Sequence, residues 1–538
     1  MKPWVVAAVM VVAAGPLLML AAGLALRALV AGSGKDQLAA ALERAAGVKV
    51  SVGSGHFDLG QWFRLSPALS LEDVKIGNPP GFGPGSVLEA RRLSAQVALI
   101  PLLRKRIQVL SIGVEGPRVT ILRDARGTSN LVAFLKKLTA GRGGDAGPEV
   151  ALAIASLSVG GGETQGAGLN LRDIELRVRN FQPDRSCQLE LAARLFGGEH
   201  SRLGVEARLG PFGGESLPMM GTARVTLAPA EVPLEWRADR LGNLLRAPGP
   251  KARAQLEAKL QGDIYGVLEG PARLVLTDVL VGKDEKHLLP LGGEVQLTLS
   301  ASNLMAAPRY EIRIPDAALQ LGRGQWKGEA RTEARGLVAS GSSRGSLRLP
   351  EIDELVSSLT AAGGKIHGAV EIPSYSMQFA GSNADQMRDS LRASGTISVT
   401  QGRVAFLDLM ASIERALEPG RQEAGESGVT PFSTLTAAWR VQNGQLLAED
   451  IVLQGPGLRA TGHGVIGFDH SIHFELDAYL TGNVAKLLNR VTLRPGREEA
   501  RVPLVIRGTL EQPRVRPQIG SMAKKAAKGM LDSVLKRR

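Results

Sequence analysis

Apolar and polar residues alternate along most of the chain, from Val48 to Val515. In Val48–Val52, Ser94–Leu99, Val295–Leu299 and Ile472–Leu476 every second residue is apolar, and Gly, Pro, Asn or Asp residues bound such segments. Because strand side chains point alternately to two faces, this period predicts strands with one apolar and one polar face. About 25 such strands at ~4.8 Å spacing would reach on the order of 120 Å before twist shortens the sheet.

Turn signals and a few helical patterns complete the predicted secondary structure. The predicted turns are Gly77–Gly81, Glu115–Pro117, Gln442–Gln445 and Gly455–Gly457. The predicted helices are Asp36–Ala46, Ser129–Leu138, Ile352–Leu359, Leu407–Leu417 and Val484–Val491. The fold class is therefore mostly β, an elongated and mainly antiparallel β-groove with a few short helices.

The N-terminus carries the longest apolar segment. Pro3–Leu26 contains 24 consecutive uncharged residues between Lys2 and Arg27. A membrane-spanning helix needs about 20 apolar residues, so this segment predicts one transmembrane helix. A cleaved secretory signal is the alternative, although its apolar region runs only about 7–15 residues. The flanking charges do not orient the helix.

Composition narrows the possible partners. Cys187 is the only cysteine among 538 residues, which excludes an intrachain disulfide and any multi-cysteine metal site. The net charge of +13 suits nucleic acid or an anionic membrane. The scattered aromatic residues form no stacking block, so we expect no nucleic-acid partner. The basic residues 516–538 predict an amphipathic tail that either lies on anionic lipid or is simply solvated.

Three candidate sites fail on local pattern. Gly341–Gly345 has the letters of a nucleophile elbow, but Ser346–Leu349 resembles a strand rather than a helix, so a turn is predicted. His470 and His473 would point to opposite faces of a strand, and a polar face of His473, Glu475 and Asp477 is expected instead of a metal site. The triplet Gly160–Gly162 opens no helix and lacks the lysine of a phosphate loop. We therefore predict no enzyme, with no catalytic, cofactor-binding or metal-binding residues.

Characteristic segments stand at both ends of the predicted strand region. Those near the N-terminus are Leu71–Phe82, Ile100–Ile107 and Val114–Val119. Those near the C-terminus are Gly395–Ile397, Asn443–Gly444, Leu458–Gly462, Val502–Leu510 and Pro513–Val515. In these segments the chain resembles the AsmA family of envelope proteins in bacteria with two membranes. Residues 149–350 keep the strand pattern but lack the family's characteristic sequence motifs. Leu131 also stands where relatives often have Trp. These two departures leave the subfamily open.

The residue pattern and the resemblance together divide the chain into six regions. These are a transmembrane anchor at 1–29, an AsmA-like N-terminal region at 30–139, a Gly-rich linker at 140–148, a divergent strand-rich middle at 149–350, an AsmA-like C-terminal region at 351–515 and the basic tail at 516–538.

The resemblance also implies a location and a function. The protein would be a single-pass protein of the bacterial inner membrane with its body in the periplasm, and envelope proteins are possible partners. It would bind or conduct phospholipid between the inner and outer membranes and support outer-membrane lipid homeostasis. The residues alone lead to a similar expectation. A sheet of this length with one apolar face must close on itself, pair with another sheet or hold an apolar ligand. A scaffold or assembly factor for outer-membrane proteins is the alternative, and an anchored hydrolase is a third.

Overall fold

A computed structural model describes the parts of the chain from which the fold is built. These are residues 48–58, 68–98, 109–122, 154–165, 170–182, 185–211, 216–233, 251–284, 287–304, 308–336, 338–359, 363–405, 407–417, 428–491, 498–510 and 512–518, with the single residues 43, 130, 133 and 249. The predicted anchor, the 140–148 linker, the basic tail beyond 518 and, apart from single residues, the predicted helices Asp36–Ala46 and Ser129–Leu138 lie outside them. Within the described segments, no helix combines the length and apolarity needed to cross a bilayer.

Twenty-five strands form one sheet, as the alternation predicted. The strands are β1 Val50–Ser51, β2 Ser54–Asp58, β3 Ala68–Gly77, β4 Ser86–Val97, β5 Val109–Glu115, β6 Arg118–Thr120, β7 Ile154–Gln165, β8 Leu171–Phe181, β9 Cys187–Leu195, β10 Arg202–Leu209, β11 Pro218–Leu227, β12 Arg253–Asp263, β13 Val267–Asp284, β14 His287–Ser302, β15 Arg309–Leu321, β16 Gly324–Arg335, β17 Val338–Leu349, β18 Ile366–Gly381, β19 Arg392–Val404, β20 Thr430–Gln442, β21 Gln445–Gly455, β22 Leu458–Gly467, β23 Ser471–Leu480, β24 Ala500–Thr509 and β25 Pro513–Pro517.

The strands follow one another across the sheet in chain order. From β7 to β25 each strand pairs antiparallel with the next, and β3 pairs antiparallel with β4. Strands β1 and β2 share one position beside β3, and β5 and β6 share one position between β4 and β7. The contacts of β5 and β6 with β7 are parallel. At ~4.8 Å per strand position, the sheet extends on the order of 100 Å along its curved surface.

Short helices interrupt the strands at four connections of the described chain. They are α1 Ile352–Leu359, α2 Ala384–Asp389, α3 Leu409–Leu417 and α4 Gly482–Val491, and a 3-10 turn spans Pro229–Glu231. The prediction of α1 is confirmed, whereas α3 and α4 begin two residues after and two residues before their predicted starts. Sequence analysis missed α2, because its six residues lack an apolar repeat and Asn383 alone marks its start by accepting the Gln386 amide.

The predicted turns coincide with strand connections. Asn443 and Gly444 both have positive φ, at 52° and 72°, and join β20 to β21 as a two-residue hairpin loop. One prediction is wrong: Gly341–Gly345 is not a turn but lies within β17. A nucleophile elbow needs a helix directly after it, but here β17 continues to Leu349.

The apolar positions of the strands share one face, called the inner face here, and the charged positions share the outer face. Inner residues form three buried clusters. The first contains residues from Val48 to Leu304, the second residues from Leu349 to Ile506, and a small third cluster joins Ala258, Ala272, Val295, Leu297 and Ala317. Burial of these side chains is the main force that holds the sheet.

The sheet coils at its C-terminal end. Helix α3, which precedes β20, contacts β25 five strand positions away. A flat sheet would separate those strands by about 24 Å, but each step between strands also twists by about 20–25°. The accumulated twist brings β25 within reach of α3, and Val515 of β25, which pairs with Ile506, packs on the second cluster.

Candidate functional site

Inner-face residues of the central strands line up in continuous rows. One row runs from Ala330 in β16 through Ser343, Met377 and Ala393 to Val441 in β20, and each residue pairs directly with the next. Register in a sheet keeps every side chain of such a row on one face. The inner face is therefore continuous across β16–β20.

Burial differs sharply along this face. Toward the N-terminus, inner residues such as Leu176 and Leu189 are each 1% exposed, and toward the C-terminus Leu504 is 1% exposed. In β15–β19 most inner apolar residues are only half-buried. We call this region the open stretch; its half-buried apolar residues include Ile312, Ile314, Leu319, Trp326, Ala330, Leu347, Ile372, Tyr375, Met377, Phe379, Ala393 and Ile397.

The open stretch is an apolar surface that is only partly covered: its side chains are intermediate in burial, and several of them contact the second or third cluster. Four strand spacings give it a length of roughly 19 Å along the sheet. The acyl layer of one bilayer leaflet is about 15 Å thick. The stretch is a few ångströms longer than this layer, long enough for an extended acyl chain to lie along it.

Three polar side chains within the open stretch form a hydrogen-bonded relay. The Trp326 indole N–H donates to the Tyr375 hydroxyl at 2.6 Å, and the Ser343 hydroxyl donates to the Glu329 carbonyl oxygen at 3.1 Å. Tyr375 and Ser343 oxygens are 2.8 Å apart, so the Tyr375 hydroxyl donates to Ser343. Because this relay uses its donors internally, the inner face stays apolar despite three polar groups.

The outer face carries ion pairs between neighbouring strands. Arg331 Nε lies 2.6 Å from Glu311 Oε1, and Arg501 Nη2 lies 2.6 Å from Asp477 Oδ2. A hydrogen bond from Arg313 lowers the pKa of Glu311, partial burial opposes this shift, and the nearby Arg331 charge adds to it. These pairs keep the outer face polar along the length of the sheet.

A depression of about 560 Å³ lies beside the β15–β16 turn. Most of its lining residues face outward, and its cations are paired: Arg348 with Glu371 at 2.7 Å, and Arg323 with Glu354. Charged, already paired side chains make it a poor receptor for an apolar ligand. The inner face, not this depression, is therefore the candidate site.

The candidate site residues considered in the sequence lie in separate parts of the sheet. His473, Glu475 and Asp477 share the outer face of β23, as expected, but His470 lies in the turn before that strand rather than on it. Gly160–Gly162 lies within β7. Across the described residues, no three His, Cys, Asp or Glu side chains are arranged to hold a metal ion.

Two further features were not found from sequence. Asn130, fully buried, donates from its amide to Asn78 Oδ1 at 3.0 Å and to the Thr120 carbonyl at 2.8 Å, and its side-chain oxygen accepts the Leu122 amide at 3.0 Å. It thereby ties the end of β6 to the β3–β4 turn. The Trp326–Tyr375–Ser343 relay also escaped prediction, because its members are separated in sequence and only the strand register brings them together.

Comparison with known proteins supports one part of the resemblance. Residues 33–140 match the AsmA family. Neither a curated protein nor a solved structure matches the chain significantly. The C-terminal resemblance from Gly395 to Val515 lies beyond the matched residues and stays a prediction. The region that contains β1–β6 and the hydrogen bonds of Asn130 is thus an AsmA family region, as its sequence indicated.

Proposed function

We propose that this protein binds phospholipid by its acyl chains on the inner face of the sheet and conducts it between the inner and outer membranes. An N-terminal helix at Pro3–Leu26 would hold it in the bacterial inner membrane with its body in the periplasm. The AsmA family region supports a role in envelope lipid transport or homeostasis. Phospholipids are the proposed ligands, and envelope proteins are possible partners.

The open stretch is the observation that carries the proposal. Its apolar side chains are only partly buried, and they lie between two regions of the same face that are closely packed. Leaving apolar area in water costs about 25 cal/mol per Å², which an apolar ligand would recover. Acyl chains have the necessary length and apolarity.

The proposed mechanism involves no covalent step and no cofactor. Each buried methylene contributes about 0.8 kcal/mol, and this attraction has no preferred direction. Acyl chains therefore slide from one row of inner residues to the next while the head group remains in water. A concentration difference or an outside energy source sets the direction of net transfer.

Site-specific photo-cross-linking in cells tests the proposal on the full-length chain. A photoreactive amino acid replaces Ile397, which faces inward, and the neighbouring Thr396, which is exposed on the outer face, serves as the matched control. With radiolabelled phospholipid, we expect a lipid adduct at 397 and none at 396. A scaffold without a lipid path would give no adduct at either position, and that result would refute the proposal.

Charge substitution provides a second test of the same surface. Ile397→Asp places a carboxylate in the path of the chains, where it would need to be desolvated, whereas Thr396→Asp places it in water. We expect the first variant to lose phospholipid cross-linking at position 377, with the second like the wild type. Equal cross-linking in both variants would contradict a path along this face.

A further inference from the structure

Four aromatic side chains of the inner face each lie over a glycine of the preceding strand. The pairs are directly opposed in register: Phe379 with Gly341, Trp439 with Gly395, Phe432 with Gly402, and Phe474 with Gly464. A methyl group on Gly341 would lie 2.7 Å from Phe379 Cε1, and one on Gly395 would lie 2.9 Å from Trp439 Cζ2. Each ring therefore fills the place of the side chain that the glycine lacks.

Strand side chains normally stand roughly perpendicular to the sheet. A ring that instead lies flat against the sheet rises above the backbone only by the thickness of the ring. Phe432 is buried within the second cluster, and Phe474 packs against that cluster. Phe379 and Trp439 differ in position, because the half-buried Phe379 belongs to the open stretch and the half-buried Trp439 lies on the strand beside it.

Another large aromatic residue of the open stretch, Tyr375, is accommodated in a related way. Trp326 in β16 and Tyr375 in β18 meet above β17 through their 2.6 Å hydrogen bond. Tyr375 lies opposite Gly345 of β17, whereas Trp326 lies opposite Leu347. The glycine therefore leaves space beneath Tyr375. Removal of this space would force the ring upward into the volume above the inner face.

We propose that Gly341 and Gly395 hold Phe379 and Trp439 flat and so set the depth of the lipid path. This inference rests on the function proposed above, and it identifies residues that control passage rather than residues that touch the head group. The flat rings offer their apolar faces to acyl chains. A β-carbon at either glycine would raise its ring and obstruct the path.

Gly341→Ala and Gly395→Ala in the full-length chain test the inference, with lipid cross-linking at position 397 as the measurement. Neither glycine has a positive φ. The three atoms nearest a methyl group on Gly341 all belong to the Phe379 ring, whereas a methyl group on Gly395 would also lie 2.7 Å from the backbone oxygen of Ser374. Gly341→Ala is therefore the cleaner test of ring overlap, and Gly395→Ala is secondary to it. We expect a roughly tenfold or larger fall in adduct, as for the loss of about two buried methylenes. Gly204→Ala is the matched control, because a methyl group there meets nothing within 4 Å.

A rescue variant separates obstruction from misfolding. Gly341→Ala combined with Phe379→Ala removes the overlap and should restore the adduct to the wild-type level. If Gly341→Ala alone does not fold, Phe379→Leu and Phe379→Ala are compared with and without the Gly341→Ala substitution. With glycine at position 341 the adduct should not depend on the size of residue 379, and with alanine at that position it should fall as residue 379 grows.

The outcomes distinguish this inference from the proposed function. A wild-type chain without any lipid adduct refutes the function and the inference together. A wild-type adduct with folded Gly341→Ala and Gly395→Ala variants that cross-link equally well refutes only the role of the glycines. Failure of the double variant to recover, although folded, also refutes that role.

Discussion

The ammonium nitrogen of Lys365, just before β18, lies 2.9 Å from the carbonyl oxygen of Leu510, just after β24, and donates a hydrogen bond to it. The two residues are 145 positions apart in sequence. Six strand spacings would separate the two strands by about 29 Å in a flat sheet. The contact therefore records how far the sheet coils at its C-terminal end.

Lys365→Met should loosen this coil while keeping most of the apolar side-chain stem. A hydrogen bond to a charged group contributes about 1.5–3 kcal/mol, and partial exposure of Lys365 places the expected loss at the lower end. Hydrogen–deuterium exchange should accelerate at residues 510–518 and at the start of β18. Lys327→Met on the outer face is the control, and equal exchange in both variants would contradict a closing role for Lys365.

Tyr375→Phe should destabilise the open stretch by about 1–3 kcal/mol, because it leaves the Trp326 N–H without its acceptor and Ser343 without its donor. Thermal unfolding followed by circular dichroism measures the loss. Replacing the whole relay, with Trp326→Phe, Ser343→Ala and Tyr375→Phe together, should recover most of it, since no polar group is then orphaned. A triple variant less stable than Tyr375→Phe would show that the relay acts by packing instead.

Glu311 should make stability depend on pH in the acidic range. Its folded-state pKa lies below the ordinary value of 4.5, chiefly through the hydrogen bond from Arg313. A carboxylate of this kind contributes stability above its unfolded-state pKa and loses that contribution as the pH falls through the lowered folded-state value. Glu311→Gln should therefore lower the unfolding temperature at pH 7 and converge with the wild type below pH 4.5.

Glu329→Gln is the control for that measurement. Glu329 is 55% exposed and lies 3.9 Å from Arg344, so an ion pair of this kind contributes little. If the difference in unfolding temperature between the wild type and Glu311→Gln stayed constant from pH 7 to pH 3, a stabilising role of the Glu311 charge would be contradicted.

Cys187 should resist thiol reagents until the N-terminal part of the sheet opens. Its side chain is 2% exposed on the inner face of β9, and burial raises the pKa of the thiol to about 11. At pH 8 roughly one molecule in a thousand carries the reactive thiolate. Maleimide labelling should be slow in the native protein and fast in urea.

The neighbouring position gives a matched control for the labelling. Gln188 is exposed on the outer face, so Gln188→Cys in a Cys187→Ala background should label rapidly under native conditions. Comparable labelling rates at the two positions would contradict the packing of the first cluster.

Local pattern accounts for much of the fold. The alternation in Ile472–Leu476 predicted both the strand β23 and its inner and outer faces, and the apolar repeat of Ile352–Leu359 predicted α1. Turn residues at Asn443 and Gly444 predicted the β20–β21 hairpin. Each of these features depends on neighbours within a few residues, which the chain displays directly.

The candidate site could be predicted only as a kind of surface. An apolar inner face follows from the two-residue period, but its half-exposed portion in β15–β19 does not. The exposure of side chains in β15–β19 depends on tertiary packing. The first cluster packs on one side of these strands, and the coil that the Lys365–Leu510 contact closes lies on the other. Gly341–Gly345 was predicted wrongly as a turn for a related reason, since its glycines and serines accommodate the large rings of neighbouring strands.

The amino-acid sequence by itself determined that this protein is a long, one-sided β-sheet with an AsmA family region near its N-terminus, because strand period and turn residues are local properties. The tertiary structure alone decided which inner residues meet: Trp326 with Tyr375, Phe379 with Gly341 and Trp439 with Gly395. Cross-strand register and accumulated twist produce those contacts, and both arise from pairing over distances that no local pattern encodes.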